Sequence, residues 1–298
     1  MPLPSMVECV PNFSEGRRTN VVSQIERAMA GSQVQMLDRH SDPDHNRSVI
    51  TFAGPDEAVL DAALAGAASA IELIDLRRHE GVHPRFGAVD VIPFVPLGGM
   101  SSDVCSGLAR RAGAALAQRH DVPVYLYGAA AKPGRPNTLS VLRQGGFEAL
   151  LARGEEILPP DYGPRRAHPT AGAVAVGSRP LLIALNVELA TADVDVAGRI
   201  AAQLRASSGG LPAVQALGLS LPSRGTVQVS MNLLDFATTS PAQVLGVLVL
   251  AAGREQVSIA SCELVGLVPE AALSGLDELD LPGLPGQDAT IEARLSIG

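Results

Sequence analysis

Apolar and polar positions follow two repeating patterns along this chain, which predicts that helices and strands alternate. Between residues 56 and 74 the apolar residues lie three or four positions apart and form one face of a helix: Val59, Ala63, Gly66, Ala70 and Leu73. Short apolar runs predict strands at residues 6–10, 34–37, 48–52, 89–95, 122–127, 181–187, 214–221, 226–233 and 259–268. Helices are predicted at residues 19–30, 56–74, 102–119, 191–206 and 241–256, with Thr19 as the N-cap of the first.

A stretch rich in proline and glycine, residues 158–172, interrupts this alternation and predicts an ordered loop or a linker. We therefore expect two subdomains, residues 1–178 and residues 179–298. The second has the order strand-helix-strand-strand-helix-strand, which is the split βαβ arrangement of ferredoxin-like folds. The first half has a similar but longer order. The expected fold class is α+β (an α/β sandwich), with mixed sheets covered by helices.

Composition narrows the classes of function. A formal net charge of −8 and an aromatic content of 3% disfavour a nucleic-acid partner, which needs basic surface and often stacking side chains. The most apolar run, residues 244–252, is shorter than the ~20 residues of a membrane span. The three cysteines, Cys9, Cys105 and Cys262, are far apart in apolar stretches and predict buried free thiols. With no signal peptide evident, the expected location is the cytoplasm.

Two polar stretches, residues 38–47 and residues 75–85, hold four of the six histidines. The second contains His79-Glu80-Gly81-Val82-His83, which matches the H-E-x-x-H string of zinc hydrolases. That zinc site needs both histidines on one face of a continuous helix. A glycine lies between these two histidines, and Pro84 disfavours helical geometry at His83. A zinc hydrolase is therefore an alternative hypothesis and not the preferred one.

The sequence His83-Pro84-Arg85 is better interpreted as a loop that presents an imidazole beside a guanidinium. Histidine titrates near neutral pH and can take and return a proton without a metal. Arginine can hold a carboxylate through two parallel hydrogen bonds. This pair suits group transfer on a small anionic substrate, and the scattered arginine pairs elsewhere in the chain also suit a small anion better than a polymer.

The chain resembles the formiminotransferase family over almost its whole length. The clearest blocks are residues 8–17 (ECVPNFSEGR), 46–54 (NRSVITFAG), 75–94 (DLRRHEGVHPRFGAVDVIPF) and 122–128 (VPVYLYG), and weaker ones are residues 182–187, 232–236 and 263–269. The resemblance is to the stand-alone bacterial form, which corresponds to the N-terminal part of formimidoyltransferase-cyclodeaminase. It implies two subdomains with a folate-binding cleft between them, and a homodimer.

The resemblance also implies an activity and a set of residues. The activity is transfer of the formimino group from N-formimino-L-glutamate to tetrahydrofolate, a step of histidine degradation and one-carbon metabolism, with tetrahydrofolate as co-substrate and no metal. His83 corresponds to the catalytic base. The implied folate-binding residues are Gly163, Pro164, Arg165, Arg166, Ala167, His168, Pro169, Thr170, Ala171 and Gly172. This loop departs from the family, which usually has aromatic or apolar residues in an F-x-P pattern here.

Charge assigns further candidates within this hypothesis. Arg47 and Arg85 are expected to bind the amino-acid carboxylates, and Arg165 and Arg166 the acidic tail of the folate. Three residues are candidates to orient the imidazole of His83, namely Asp38, Asp42 and His79. The remaining alternative is a folate-binding homologue that has kept the fold and lost the chemistry.

Overall fold

The computed structural model describes residue 3, residues 5–31 and residues 33–296, with only the backbone described at residue 155. The chain forms two compact units, Met1–Arg179 and Pro180–Gly298. The strands are β1 (Met6–Cys9), β2 (Asn12–Phe13), β3 (Gln35–Asp42), β4 (Arg47–Gly54), β5 (Val89–Leu97), β6 (Val124–Gly128), β7 (Val174–Ser178), β8 (Ile183–Leu189), β9 (Val214–Leu221), β10 (Thr226–Leu233) and β11 (Ile259–Val265). The helices are α1 (Thr19–Ala30), α2 (Asp56–Leu73), α3 (Ser102–His120), α4 (Leu139–Leu142), α5 (Gly146–Arg153), α6 (Val194–Leu204), α7 (Pro241–Arg254) and α8 (Ile291–Ser296).

The first unit is built on a seven-stranded mixed sheet. β1 and β2 act as two pieces of one strand, since both pair antiparallel with β4 on one side and β5 on the other. β3 pairs with β4, and β7 lies between β5 and β6, parallel to both. The break between β1 and β2 leaves Asn12, Phe13 and Ser14 beside the start of β5, near the candidate site residues.

Helices α1, α2 and α3 cover one face of this sheet. The periodicity of α2 is confirmed, because Val59, Ala63, Gly66 and Ala70 are all buried. The largest buried side chains of this core come from the sheet and the helices together and include Phe13, Ile25, Phe52, Ile92, Phe94 and Leu116. Each such side chain stabilises the fold by about 1.5–3 kcal/mol relative to an exposed one. This apolar layer is the rigid base on which the polar loops are carried.

The second unit has the order β8-α6-β9-β10-α7-β11, and its four strands form an antiparallel sheet in the order β11-β8-β10-β9. The ferredoxin-like prediction is confirmed. The structure also confirms the predicted limits of β9 and β10, which meet at a turn that contains Gly225 with a φ of 67°. α7 begins with a capping box between Ser240 and Gln243, with Pro241 in its first turn.

Two local predictions were wrong. The N-cap of α1 is Arg18 and not Thr19, and the carboxylate of Glu15 accepts hydrogen bonds from the amides of Arg17 and Arg18. The strands predicted at residues 34–37 and 48–52 were also too short, since both extend into the polar stretch between them. β3 lies at the sheet edge, where Arg39 and other polar side chains face solvent. Only residues 43–46 remain as a turn.

The cysteines are free and buried, as predicted. Within the described ranges, the search for a helix with the length and hydropathy of a membrane span found none.

Two glycines provide a matched test of backbone constraint. Gly172 has a φ of 69°, and a Cβ there would lie 2.1 Å from the carbonyl oxygen of Phe86, whereas a Cβ on Gly107 in α3 would meet nothing within 4 Å. We expect Gly172→Ala to lower the free energy of unfolding by about 2–4 kcal/mol, through left-handed backbone and overpacking. Gly107→Ala should raise it by about 0.5–1 kcal/mol, since alanine favours the helix. Urea unfolding measures both, and equal effects would contradict this account.

Glu8 provides a pH-dependent test. It lies in β1 between Ala53 and Val95 and is buried. Burial raises its pKa to about 7, and the charge of Arg179 opposes this increase. The unfolded carboxyl ionises near its ordinary pKa of 4.5, so the folded state loses stability as the pH rises from there through about 7.

We therefore expect Glu8→Gln to gain stability relative to the wild type between about pH 5 and about pH 8, by up to about 3 kcal/mol. The measurement is the difference in unfolding free energy between the two proteins at each pH. A difference that does not change with pH would show that Glu8 ionises normally in the folded protein.

Candidate functional site

His83 lies in an irregular loop between α2 and β5. The loop is held at several points, because the amide of Leu76 donates to the carbonyl of Thr170 (2.8 Å) and that of Val82 donates to the carbonyl of Asp44 (3.0 Å). At its far end the amide of Phe86 donates to Oδ1 of Asp90 (2.8 Å). These anchors fix a half-buried imidazole without placing it in a helix or a strand.

The turn between β3 and β4 meets this loop through Asn46. Asn46 has a φ of 48°, its Nδ2 donates to the carbonyl of Glu80 (2.9 Å), and its Oδ1 accepts from the amide of Gly16 (2.9 Å). A left-handed backbone is uncommon for residues other than glycine, and asparagine is one of the few that tolerate it. One side chain therefore joins three separate segments of the chain.

Arg47, the first residue of β4, makes the central contact of the site. Its Nη1 lies 2.6 Å from Nε2 of His83. A guanidinium can only donate, so Nε2 accepts and the ring is neutral, with its proton on Nδ1. Burial lowers the pKa of His83 well below its usual value, and the charges of Arg47, Arg143 and His45 lower it further. Geometry and electrostatics thus agree on a neutral imidazole.

A second arginine, Arg143, lies close enough to His83 for its charge to act on the imidazole. Arg143 follows α4, and its Nη2 lies 2.5 Å from Oδ2 of Asp90, a side chain that is 4% exposed. Burial and the charge of Arg143 together lower the pKa of Arg47 to about 10, against the opposing charges of Asp90 and Asp42, so the two guanidinium groups act on each other. The rings of His45 and His83 are 5.7 Å apart between centroids.

Several of these side chains line a small pocket in the first unit. Its lining residues are Asn12, Phe13, Ser14, His45, Asn46, Arg47, His79, His83, Arg85 and Asp90. The pocket combines a neutral imidazole, amide and hydroxyl groups, and an excess of positive charge over its single carboxylate. Such a surface favours a small anionic ligand that undergoes proton transfer.

His79 has a structural part in this arrangement. Its Nε2 lies 2.7 Å from the carbonyl oxygen of Asn46 and its Nδ1 accepts from Nε of Arg85 (3.1 Å), so both ring nitrogens already have partners. Burial lowers the pKa of His79, which is consistent with a neutral ring. The H-E-x-x-H string from His79 to His83 lies in a loop and not in the helix that the zinc signature requires.

The other residues predicted to support the site differ in whether they line the pocket. Asp42 is buried, and its Oδ1 accepts from the amide of His45 (2.7 Å), so it stabilises the turn that precedes Arg47. Asp38 lies further back in β3, opposite Thr51, and is not among the residues that line the pocket. Arg85 does line it, but its two Nη atoms donate to the carboxylate of Glu148 at 2.7 Å each.

Two family models match this chain. The formiminotransferase domain, N-terminal subdomain, matches residues 6–179, and the formiminotransferase domain matches residues 184–277. This chain belongs to the formiminotransferase family. The resemblance found in the sequence is thereby confirmed.

Relatives within the formiminotransferase family are similar over most of the chain. It is 43% identical over 273 residues to the glutamate formimidoyltransferase of Thermoplasma acidophilum, covering 90% of each protein. It is 39% identical to the glutamate formimidoyltransferase of Streptococcus pyogenes, covering 92% of each. It is 42% identical to the formimidoyltransferase-cyclodeaminase of Sus scrofa, where the match covers 90% of this chain and 51% of the larger protein.

Residues 163–172 form the loop that is expected to bind folate from the resemblance to formiminotransferases. None of them lines the His83 pocket. The end of this loop packs against the segments that hold His83, since Ala88 donates to the carbonyl of Ala171 (2.9 Å) and His168 and Gly172 exchange backbone hydrogen bonds. Arg165 and Arg166 are exposed, and Arg166 lies 3.7 Å from Asp121.

Several residues in or next to the pocket of this formiminotransferase were missed by the sequence interpretation. His45 and Asn46 belong to a polar stretch that was recognised, but no pattern distinguished them from their neighbours. Asp90 and Arg143 come from β5 and from the residue after α4, so only the fold brings them together. A lone carboxylate inside an apolar strand was the available signal for Asp90, whereas nothing local identified Arg143.

We expect His79→Phe to destabilise the protein by about 1–3 kcal/mol, because it leaves the buried carbonyl of Asn46 and Nε of Arg85 without their partners. His79→Gln keeps a side-chain donor and an acceptor and should restore part of that loss. Chemical unfolding of both variants is the measurement. Equal stability of His79→Phe and the wild type would show that these hydrogen bonds do not hold the loop.

Proposed function

We propose that this chain transfers the formimino group of N-formimino-L-glutamate to tetrahydrofolate, giving 5-formimino-tetrahydrofolate and L-glutamate. The observation that carries the proposal is the neutral, half-buried His83 beside Arg47 in a pocket rich in positive charge. Family membership supports it, since relatives that match over about 90% of their length are named glutamate formimidoyltransferase. Tetrahydrofolate is the co-substrate, and the acting form is a homodimer, as the resemblance implies.

The chemistry requires one proton to move between two nitrogens. N5 of tetrahydrofolate attacks the formimino carbon, so a nitrogen–carbon bond forms and N5 must lose its proton. His83 accepts this proton as a neutral base. It then returns the proton to the glutamate nitrogen as the bond from that nitrogen to the formimino carbon breaks. The base is regenerated and no redox partner is needed.

Positive charge in the pocket serves the acidic substrate. Arg47 is the nearest cation to His83 and is our candidate for one carboxylate of N-formimino-L-glutamate. Arg85 can bind a substrate carboxylate only if its ion pair with Glu148 breaks, because Glu148 is bound to its guanidinium in this structure. The exposed Arg165 and Arg166 are our candidates for the acidic tail of the folate.

We expect His83→Ala to lower turnover by roughly 10²–10⁴-fold while binding of tetrahydrofolate is largely retained, because a positioned acid–base group contributes about that factor. The assay follows the change in absorbance as 5-formimino-tetrahydrofolate forms. Arg199→Gln is the control, since Arg199 is an exposed arginine paired with Glu255 in the second unit.

Near-normal turnover in His83→Ala would exclude His83 as the base. Absence of product with the folded wild type and both substrates would exclude the proposed reaction itself. A folded protein that binds folate and transfers nothing would instead support the non-catalytic alternative.

A further inference from the structure

Two arginine side chains near the pocket each retain a buried hydrogen-bond donor that is not used. In the described part of the chain, Nε of Arg47 and Nε of Arg143 are both buried and have no hydrogen-bond partner. Arg47 uses Nη1 on a neutral imidazole, and Arg143 uses Nη2 on Asp90. Asp90 is also engaged by the amides of Phe86 and Gly87. A buried donor without a partner is unfavourable, so an acceptor that reaches these atoms is favoured.

We propose that a carboxylate of the amino-acid substrate binds to Arg47 and Arg143 together, and that its binding releases Nε2 of His83 from Arg47. This inference rests on the proposed function. It adds Arg143 as a substrate-specificity residue, and it makes the base available only after the amino acid has bound.

The need for such a release follows from the hydrogen bond in the structure. The lone pair of Nε2 accepts from Nη1 of Arg47 at 2.6 Å, so in this state Nε2 cannot take a proton from N5 of tetrahydrofolate. A carboxylate is a better acceptor for a guanidinium than a neutral imidazole is, because both partners of the hydrogen bond then carry opposite charges. Arginine binds carboxylates in bidentate geometry, and the guanidinium of Arg47 must turn to align two of its donors with the carboxylate, which takes Nη1 away from Nε2.

The same event changes the field around His83. The charged and titratable groups that face it are Arg47 from β4, His45 from the preceding turn, Arg143 after α4, Asp90 from β5, and His79 and Arg85 from its own loop. The charges of Arg47 and Arg143 both lower the pKa of His83. A bound carboxylate offsets part of this positive charge, so the pKa rises toward its usual value and the imidazole becomes a stronger base.

The test uses L-glutamate, the expected product, as the probe on the full chain. Nitrogen-15 NMR of labelled histidines follows the titration of His83, and His83→Asn assigns its signals. We expect saturating L-glutamate to raise the apparent pKa of His83 by about one pH unit and to shift the Nε2 resonance away from its hydrogen-bonded position. The experiment is run with and without folate to include ordered binding.

Variants separate the role of Arg143 from general charge. Arg143→Gln should weaken L-glutamate binding by roughly tenfold or more and reduce the rise in the pKa, because it removes one of the two guanidinium groups. Arg143→Lys should restore part of the affinity through its charge without the bidentate geometry. Arg199→Gln, the exposed control in the second unit, should change neither.

Two results would overturn the inference while leaving the proposed function intact. One is a His83 pKa and Nε2 resonance that do not change when L-glutamate saturates an active wild type. The other is unchanged L-glutamate affinity in Arg143→Gln. If Arg143→Gln does not fold, the wild-type titration and Arg143→Lys still decide the matter. A clear NMR response without formimino transfer would instead refute the proposed function and retain the carboxylate site.

Discussion

The site depends on the contact between two loops that are far apart in sequence. The side chain of Asn46 bridges the amide of Gly16 and the carbonyl of Glu80, and its backbone carbonyl is hydrogen-bonded to Nε2 of His79. These bonds dock the turn at residues 43–46 onto the loop that carries His83. Since Arg47 directly follows Asn46, the same docking places the guanidinium against the imidazole. Without this junction the loop of His83 would be held less firmly against the start of β4, and the separation of 2.6 Å between Nη1 of Arg47 and Nε2 of His83 would not be maintained.

Rigid elements beneath the junction make this docking possible. β4 and β5 both pair with the interrupted strand formed by β1 and β2, so the starts of β4 and β5 are held side by side. Arg47 is the first residue of β4 and Asp90 is the second residue of β5, so both lie in one region of the sheet. Arg143 arrives from outside the sheet and is held by Asp90. The apolar core under α1, α2 and α3 therefore determines the geometry of the polar groups above it.

Sequence reasoning succeeded where one local pattern decides the structure. The periodicity of α2 and the short apolar runs of β9 and β10 were sufficient to locate these elements. It failed at β3, whose edge position permits polar side chains that resemble a loop. It could not find the Arg143–Asp90 pair or the Arg85–Glu148 pair, since the partners of the latter are 63 positions apart. His83 was named because family resemblance and the chemistry of His83-Pro84-Arg85 agree, and neither indicated that Arg47 covers its lone pair.

The unsatisfied polar atoms help to separate groups that support the fold from groups that await a ligand. Asp42, His79 and Asn46 use their polar atoms on backbone groups of neighbouring segments, as buried polar side chains generally do. Arg47 and Arg143 differ, because among the residues that the structure describes neither has a hydrogen-bond partner for its buried Nε. A structural role would be better served by satisfying those donors or by an apolar side chain of similar size. Within the proposed function, an anionic substrate beside the neutral imidazole satisfies the donors of both arginines.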